Sequence, residues 1–135
     1  LIPACIKTKR QVDSFYHGIK TVLSIHNIRN QGIYPAKDMD SIASLPLELM
    51  EDREYKYFKA VNFLKAGIDS ADYITLPAPS LKEEIVSPYY GSNLDKLLTA
   101  NSFKVTGILD GIDHRRYDPE KDPAIFQNFS TDTLE

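Results

Sequence analysis

His26 and Asn27 stand directly after Lys20-Thr21-Val22-Leu23-Ser24-Ile25, a short run rich in β-branched and apolar residues. A histidine released at the end of such a strand can donate a hydrogen bond to a ligand hydroxyl or stabilise developing charge. Taken alone, however, it reads first as a structural or loop histidine, and Asn27 first as a turn residue bonding its own backbone. Gln31-Gly32 follows in the next loop, where glycine permits positive φ or close approach of the backbone. Asp110-Gly111 closes the later apolar run Val105–Leu109 and reads as a turn. The carboxylates Asp13, Asp38, Asp40, Glu48, Glu51, Asp52 and Glu54 have no pairing pattern and read as surface. No spacing of His, Cys, Asp and Glu matches a zinc or calcium site, and there is no phosphate-binding glycine loop or serine nucleophile elbow.

The elements that must position these residues follow from punctuation. Three strands are predicted at about 20–26, 72–76 and 105–109. A helix is predicted over about 54–66, with Gly67 as its C-terminal cap. Ser80 and Glu83 form a capping box opening a short helix, and Asn93 caps another over 94–100. Residues 113–123 read as irregular, and 124–129 as a helical turn or two. Strands separated by helical crossovers predict an α/β fold, with a Rossmann-like parallel sheet and flanking helices. In such sheets ligands bind beyond the carboxyl ends of the strands. Those ends carry His26-Asn27, Leu76-Pro77 and Asp110-Gly111.

Composition narrows the function. The chain has 135 residues, 42% of them apolar, which suits a packed domain or part of one. A net charge of −3 argues against a dedicated nucleic-acid surface. The clusters Lys7–Arg10 and His114–Arg116 read as a solvated helix face and a loop. Cys5, the lone cysteine, excludes an intrachain disulfide, fits a reducing compartment and reads as a small buried hydrophobe. No apolar stretch approaches the ~20 residues of a membrane-spanning helix. The apolar start at Leu1–Ile6 and the helix-start pattern at Ser130–Glu135 read as the ends of an excised segment.

In order along the chain, Lys20–Ile28, Gln31–Pro35, Val61–Gly67 with Ala71-Asp72, Glu83–Ile85, Leu94-Asp95 with Leu97-Leu98, Gly107–Asp113, Asp118-Pro119 and Asp122-Pro123 resemble the bacterial glycogen synthase and plant starch synthase family. The resemblance implies a retaining GT-B glucosyltransferase of two Rossmann-like domains, of which residues 1–135 form a fragment of the N-terminal domain. It implies glucose transfer from ADP-glucose or UDP-glucose to the end of an α-1,4-glucan. No metal or cofactor is implied, nor a nucleic-acid or membrane partner, and the location is cytoplasmic, or plastid for a plant protein. His26 matches the family histidine that contacts the transferred glucose and is needed for transfer. Asn27 and Gln31 fall in the substrate-binding loop. Asp110 stands where asparagine is usual near the glucose. A Lys-Thr-Gly-Gly loop, an Asp-Trp-His segment and the donor-binding C-terminal domain are missing, so the chain alone is expected to be inactive and to self-associate through cut edges. Asn30, Lys59, Asn93, Lys96, the Leu76–Ser80 series and Tyr117 also depart from the family pattern. These departures keep open a second class, a non-catalytic paralogue that binds glucan or a partner synthase.

Overall fold

The computed structural model describes residues 1–38, 56–57 and 60–133. Three strands, β1 (Val22–Ser24), β5 (Tyr73–Leu76) and β6 (Val105–Gly107), form a parallel sheet in the order β1-β5-β6. Leu23, Ile74 and Val105 are register partners on one face. Ile74 is fully buried and Val105 nearly so. Ile68 of α2 (Phe63–Ser70), Ile85 of α3 (Pro79–Ile85) and Leu98 of α4 (Asp95–Ala100) join them in one core. Each fully buried aliphatic side chain of this kind stabilises by roughly 1.5–3 kcal/mol. The expected parallel α/β architecture is therefore present.

At the amino-terminal edge of the sheet, one carboxylate joins three elements. Asp72 accepts both guanidinium nitrogens of Arg10, at 2.6 and 3.2 Å, and the Thr21 N–H at 2.7 Å and hydroxyl at 3.0 Å. Arg10 lies in α1 (Ile2–Val12), a helix whose first turn holds Pro3, where a missing N–H costs nothing. Arg10 also donates to the Ile19 carbonyl. Lys7, one turn earlier, meets Asp69 of α2 at 2.8 Å. The Lys7–Arg10 cluster is thus more than a solvated face: two of its charges fasten α1 to the sheet and α2. Cys5 is only partly buried. The Lys104 ammonium is buried and donates to the carbonyls of Asp69 and Ala71 at the α2 C-terminus, where positive charge is favourable. Burial pushes it below the usual lysine range.

Several expected boundaries move. Residues 60–62 and 56–57 form β4 and β3, which pair antiparallel, and β4 also pairs antiparallel with β2 (Ile33–Pro35). The helix expected over 54–66 begins only at Phe63. The rest of that expectation, at 54–55 and 58–59, lies outside the described residues. Short apolar runs do not separate strand from helix, and here the antiparallel pairing decides. Gly67 is inside α2, not at its cap, since the helix runs on to Ser70; an added Cβ at Gly67 would come 3.2 Å from a Leu23 methyl, so its bare backbone admits close packing on β1. Helix α3 starts at Pro79 from Ala78 with no side-chain cap, so Ser80 does not cap it; proline at the first position sets the start. Leu94, not Asn93, precedes α4, and Ser92 and Asn93 both take positive φ, at 50° and 66°. Residues 124–129 form turns and bends instead of helix, and Ser130 begins a turn to Thr133. Asp110-Gly111 makes no turn either; the chain turns after Asp113, whose carboxylate accepts the Arg115 N–H.

Gly107 is required by contact with α3. A Cβ at this position would run into the Pro79 Cα and lie 2.5 Å from the Ala78 carbonyl oxygen, both backbone atoms that cannot swing aside. Gly107→Ala is expected to lower stability by about 1–3 kcal/mol or more, read as a lower urea midpoint with unchanged slope. A second expectation concerns acid. Hydrogen bonds from Arg10 above all, then from Thr21, hold the Asp72 carboxyl well below the usual carboxylate range against the opposing effect of desolvation. Its contribution to stability is complete above the unfolded value of about 3.9 and fades as pH falls toward the depressed folded value. Urea melts of Asp72→Asn should accordingly start from lower stability near neutrality and lose less between about pH 4 and 2 than those of the unaltered chain.

Candidate functional site

Parallel pairing brings the carboxyl ends of all three strands to one rim. The ladder continues past them: the Ile25 N–H donates to Thr75 O at 2.9 Å, Ile108 to Leu76 O at 2.8 Å, and Asp110 to Pro77 O at 3.2 Å. These bonds hold three chain exits side by side around a pocket of about 170 Å3. Ser24 and His26 line it from β1, Thr75 and Pro77 from β5, Ile108 and Asp110 from β6. Topology alone predicted this location, and the structure places His26 and Asp110 in the same pocket. Both side chains are exposed and form no side-chain hydrogen bond among the described residues. Together they offer an imidazole and a carboxylate to a ligand rich in hydroxyl groups.

The other two residues singled out from sequence do different work. Asn27 stands just beyond the pocket, and its Oδ1 accepts the Arg29 N–H at 2.9 Å in a tight local turn. Gln31 is partly buried and engaged at both ends of its amide. Its Nε2 donates to the Ser92 carbonyl at 2.8 Å, and its Oε1 accepts from Asn62 Nδ2 at 2.6 Å. Asn62 is fully buried, and its Oδ1 accepts the Lys65 N–H at 2.9 Å. The carbonyls of Gly32 and Gln31 accept the N–H groups of Phe63 and Leu64, at 3.0 and 2.9 Å. The first three amides of α2 are thereby satisfied, as a helix start requires. Gly32 makes this possible: its φ is +60°, and an added Cβ would sit 3.3 Å from Phe63. The loop carrying His26 is thus fastened to α2 and to the turn before α4.

Sequence reasoning missed Ser24 and Thr75, whose hydroxyls face each other at 2.8 Å in the pocket wall. The signal was present in the alternation of strand side chains, which puts Ser24 on the same face as His26, two residues on.

A family model for the starch synthase catalytic domain matches residues 1–100. The chain belongs to this family. Among curated relatives, the glycogen synthase of Lachnospira eligens is 39% identical over 99% of the chain, and that of Clostridium kluyveri 40% identical over the same share. The chain spans 28% of the length of either relative. The catalytic domain of starch synthase IV from Arabidopsis thaliana, solved bound to ADP and acarbose, superposes with a TM-score of 0.73. That likeness covers 98% of this chain and 28% of the other, at 23% identity, and supports the fold. Among the described residues, no helix is long and apolar enough to cross a membrane.

The bracing role of Gln31 has a measurable consequence. Gln31→Ala would leave the buried Asn62 amide and the Ser92 carbonyl without this partner. The expected cost is about 1–3 kcal/mol in denaturant unfolding, with faster amide exchange at Phe63 and Leu64. Unchanged stability would mean that the amide does not brace the loop.

Proposed function

We propose that the full-length protein is a retaining glucosyltransferase that moves glucose from ADP-glucose or UDP-glucose to the end of an α-1,4-glucan. In this reading, residues 1–135 are part of its N-terminal domain. The observation that carries the reading is the meeting of His26 and Asp110 in one pocket at the carboxyl ends of three parallel strands, in a chain of the starch synthase catalytic-domain family. His26 donates to a hydroxyl of the transferred glucose and stabilises charge that develops as the donor bond breaks. Asp110 accepts hydrogen bonds from the sugar, and while ionised it donates none. Asn27 shapes the exit of β1 and Gln31 braces it, so both serve substrate binding by holding His26 in place. The groove of about 630 Å3 between the start of α1 and the free edge of β1, lined by Leu1, Ile6, Ile19 and Val22 among others, belongs in this reading to surface covered by the rest of the protein.

The experiment uses the full-length protein and a radiolabelled sugar nucleotide with a glucan primer. His26→Ala is expected to lower turnover more than 100-fold, since a positioned polar group in a closed site supplies about 3 kcal/mol of transition-state stabilisation. Asp110→Asn supplies the donor that a carboxylate lacks. It should change kcat/KM by about tenfold, upward if the carboxylate impairs glucose transfer and downward if it serves a different sugar. Absence of transfer by the unaltered protein would overturn the enzymatic reading and leave glucan binding as the role to test. Transfer untouched by either substitution would remove both residues from the working site.

A further inference from the structure

Ser24, Thr75 and Thr106 are register partners across β1, β5 and β6, at the carboxyl end of β1 and one residue short of it in β5 and β6. Their row lies on the face opposite Leu23, Ile74 and Val105, since side chains alternate along a strand. The core face of that sheet carries aliphatic side chains, Ile25, Ile74, Leu76 and Val105 among them. Its opposite face carries hydroxyls in this row, and two of the three, Ser24 and Thr75, wall the pocket that holds His26 and Asp110. The two hydroxyls are 2.8 Å apart, so one donates to the other. That bond uses one donor and one acceptor site, leaving the pair one O–H to donate and lone pairs to accept. Either oxygen can be the internal donor, so the free O–H can stand on β1 or on β5. Such a pair adapts to a ligand hydroxyl, which itself both donates and accepts.

A strand-bridging role alone does not call for this placement. The backbone ladder already joins β1 to β5, and Ser24 is exposed to solvent. An exposed hydroxyl pair adds little to stability, because water satisfies both groups when they are apart. Within the pocket, however, the pair shares the lining with the polar groups of His26 and Asp110 and with the apolar Ile108 and Pro77.

We propose that the Ser24–Thr75 hydroxyl pair reads one hydroxyl group of the sugar bound beside His26, making these two residues specificity determinants of the site. The inference rests on the glucosyltransferase reading above and deepens it. A site built to hydrogen-bond a hydroxyl discriminates strongly against the analogue that lacks it, because its polar groups are left unpaired.

The test measures dissociation constants by calorimetry on the full-length protein. The probes are whichever of ADP-glucose and UDP-glucose binds, and its 2-, 3-, 4- and 6-deoxyglucose analogues. The Ser24→Ala/Thr75→Val double variant should lose discrimination at one sugar position by about tenfold and keep it at the others. Ser24→Thr with Thr75→Ser, which restores both hydroxyls, should bring it back. A variant profile parallel to that of the unaltered protein at every position overturns the proposal while the transferase reading stands. A uniform loss at all positions, with a lowered melting temperature, shows a structural pair only and also overturns it. If the unaltered protein binds no sugar nucleotide, the transferase reading fails and the hydroxyl pair falls with it.

Discussion

The carboxylate of Asp72 fixes the position of β1 against β5. It receives Thr21 through both backbone and side chain, and the Thr21 carbonyl in turn accepts the N–H groups of Asp72 and Tyr73 at 3.1 Å each. The exchange holds residue 21 opposite residue 72, so Val22 must pair with Tyr73 and Ser24 with Thr75. A slip of one residue would turn Leu23 out of the core and Ser24 into it. His26, two residues past Ser24, would leave the pocket face with it. Arg10 adds a second constraint, since its guanidinium binds the same carboxylate from α1 and its side chain is only 21% exposed. Truncating either partner of such a pair is costly mainly because the other is left charged and poorly solvated.

The two ends of the sheet are built from different materials. At the amino-terminal edge, charges fasten helices to strands: Arg10 to Asp72, Lys7 to Asp69, and Lys104 to the last carbonyls of α2. At the carboxyl edge, the fastening is neutral. Gln31, Asn62 and the Ser92 carbonyl form a short chain of amide hydrogen bonds, and Gly107 lets the start of α3 close on β6. In the proposed role a neutral brace suits an edge where a ligand would meet unpaired polar groups, because a fixed cation nearby would compete for Asp110. Ser92 and Asn93 both sit in the left-handed region, which for residues with a Cβ costs roughly 1–2 kcal/mol each, least for asparagine. The Gln31 bond to Ser92 O helps hold that turn in place.

What the sequence made legible follows the range of the interactions involved. The three parallel strands were visible because each is a short apolar run closed by a polar or proline signal, and the strand-end rule then located the pocket before any family entered. Helix starts were misplaced where the cap is not a side chain: Ala78 and Leu94 precede α3 and α4 without a side-chain cap bond. The small antiparallel sheet was hidden because strands of two or three residues declare themselves only through partners elsewhere in the chain, as Tyr34 does opposite Val61. Gln31 illustrates the same limit at the site. Its type and loop position fit a substrate contact, and only the fold brings Ser92 and Asn62 to its two ends. Ser24 and Thr75 were passed over because a hydroxyl inside a strand run reads as filler until its register partner is known.

The exposure of the pocket determines what its residues could contribute to the proposed chemistry. A hydrogen bond made in open water is worth little net, because water competes for both partners. The same group in an enclosed, water-excluded site stabilises developing charge far more strongly. His26 and Asp110 are exposed here, so in the proposed transferase role their polar groups would gain catalytic strength only when substrate and a facing surface exclude water from the rim. What these residues supply in advance is placement. The ladder bonds from Ile25 to Thr75 and from Asp110 to Pro77 fix the spacing of the two side-chain origins, and the Gln31 brace fixes the loop between them and α2. Placement set by backbone bonds needs no rearrangement when charge develops, which is the part of electrostatic catalysis that a rigid strand end can provide.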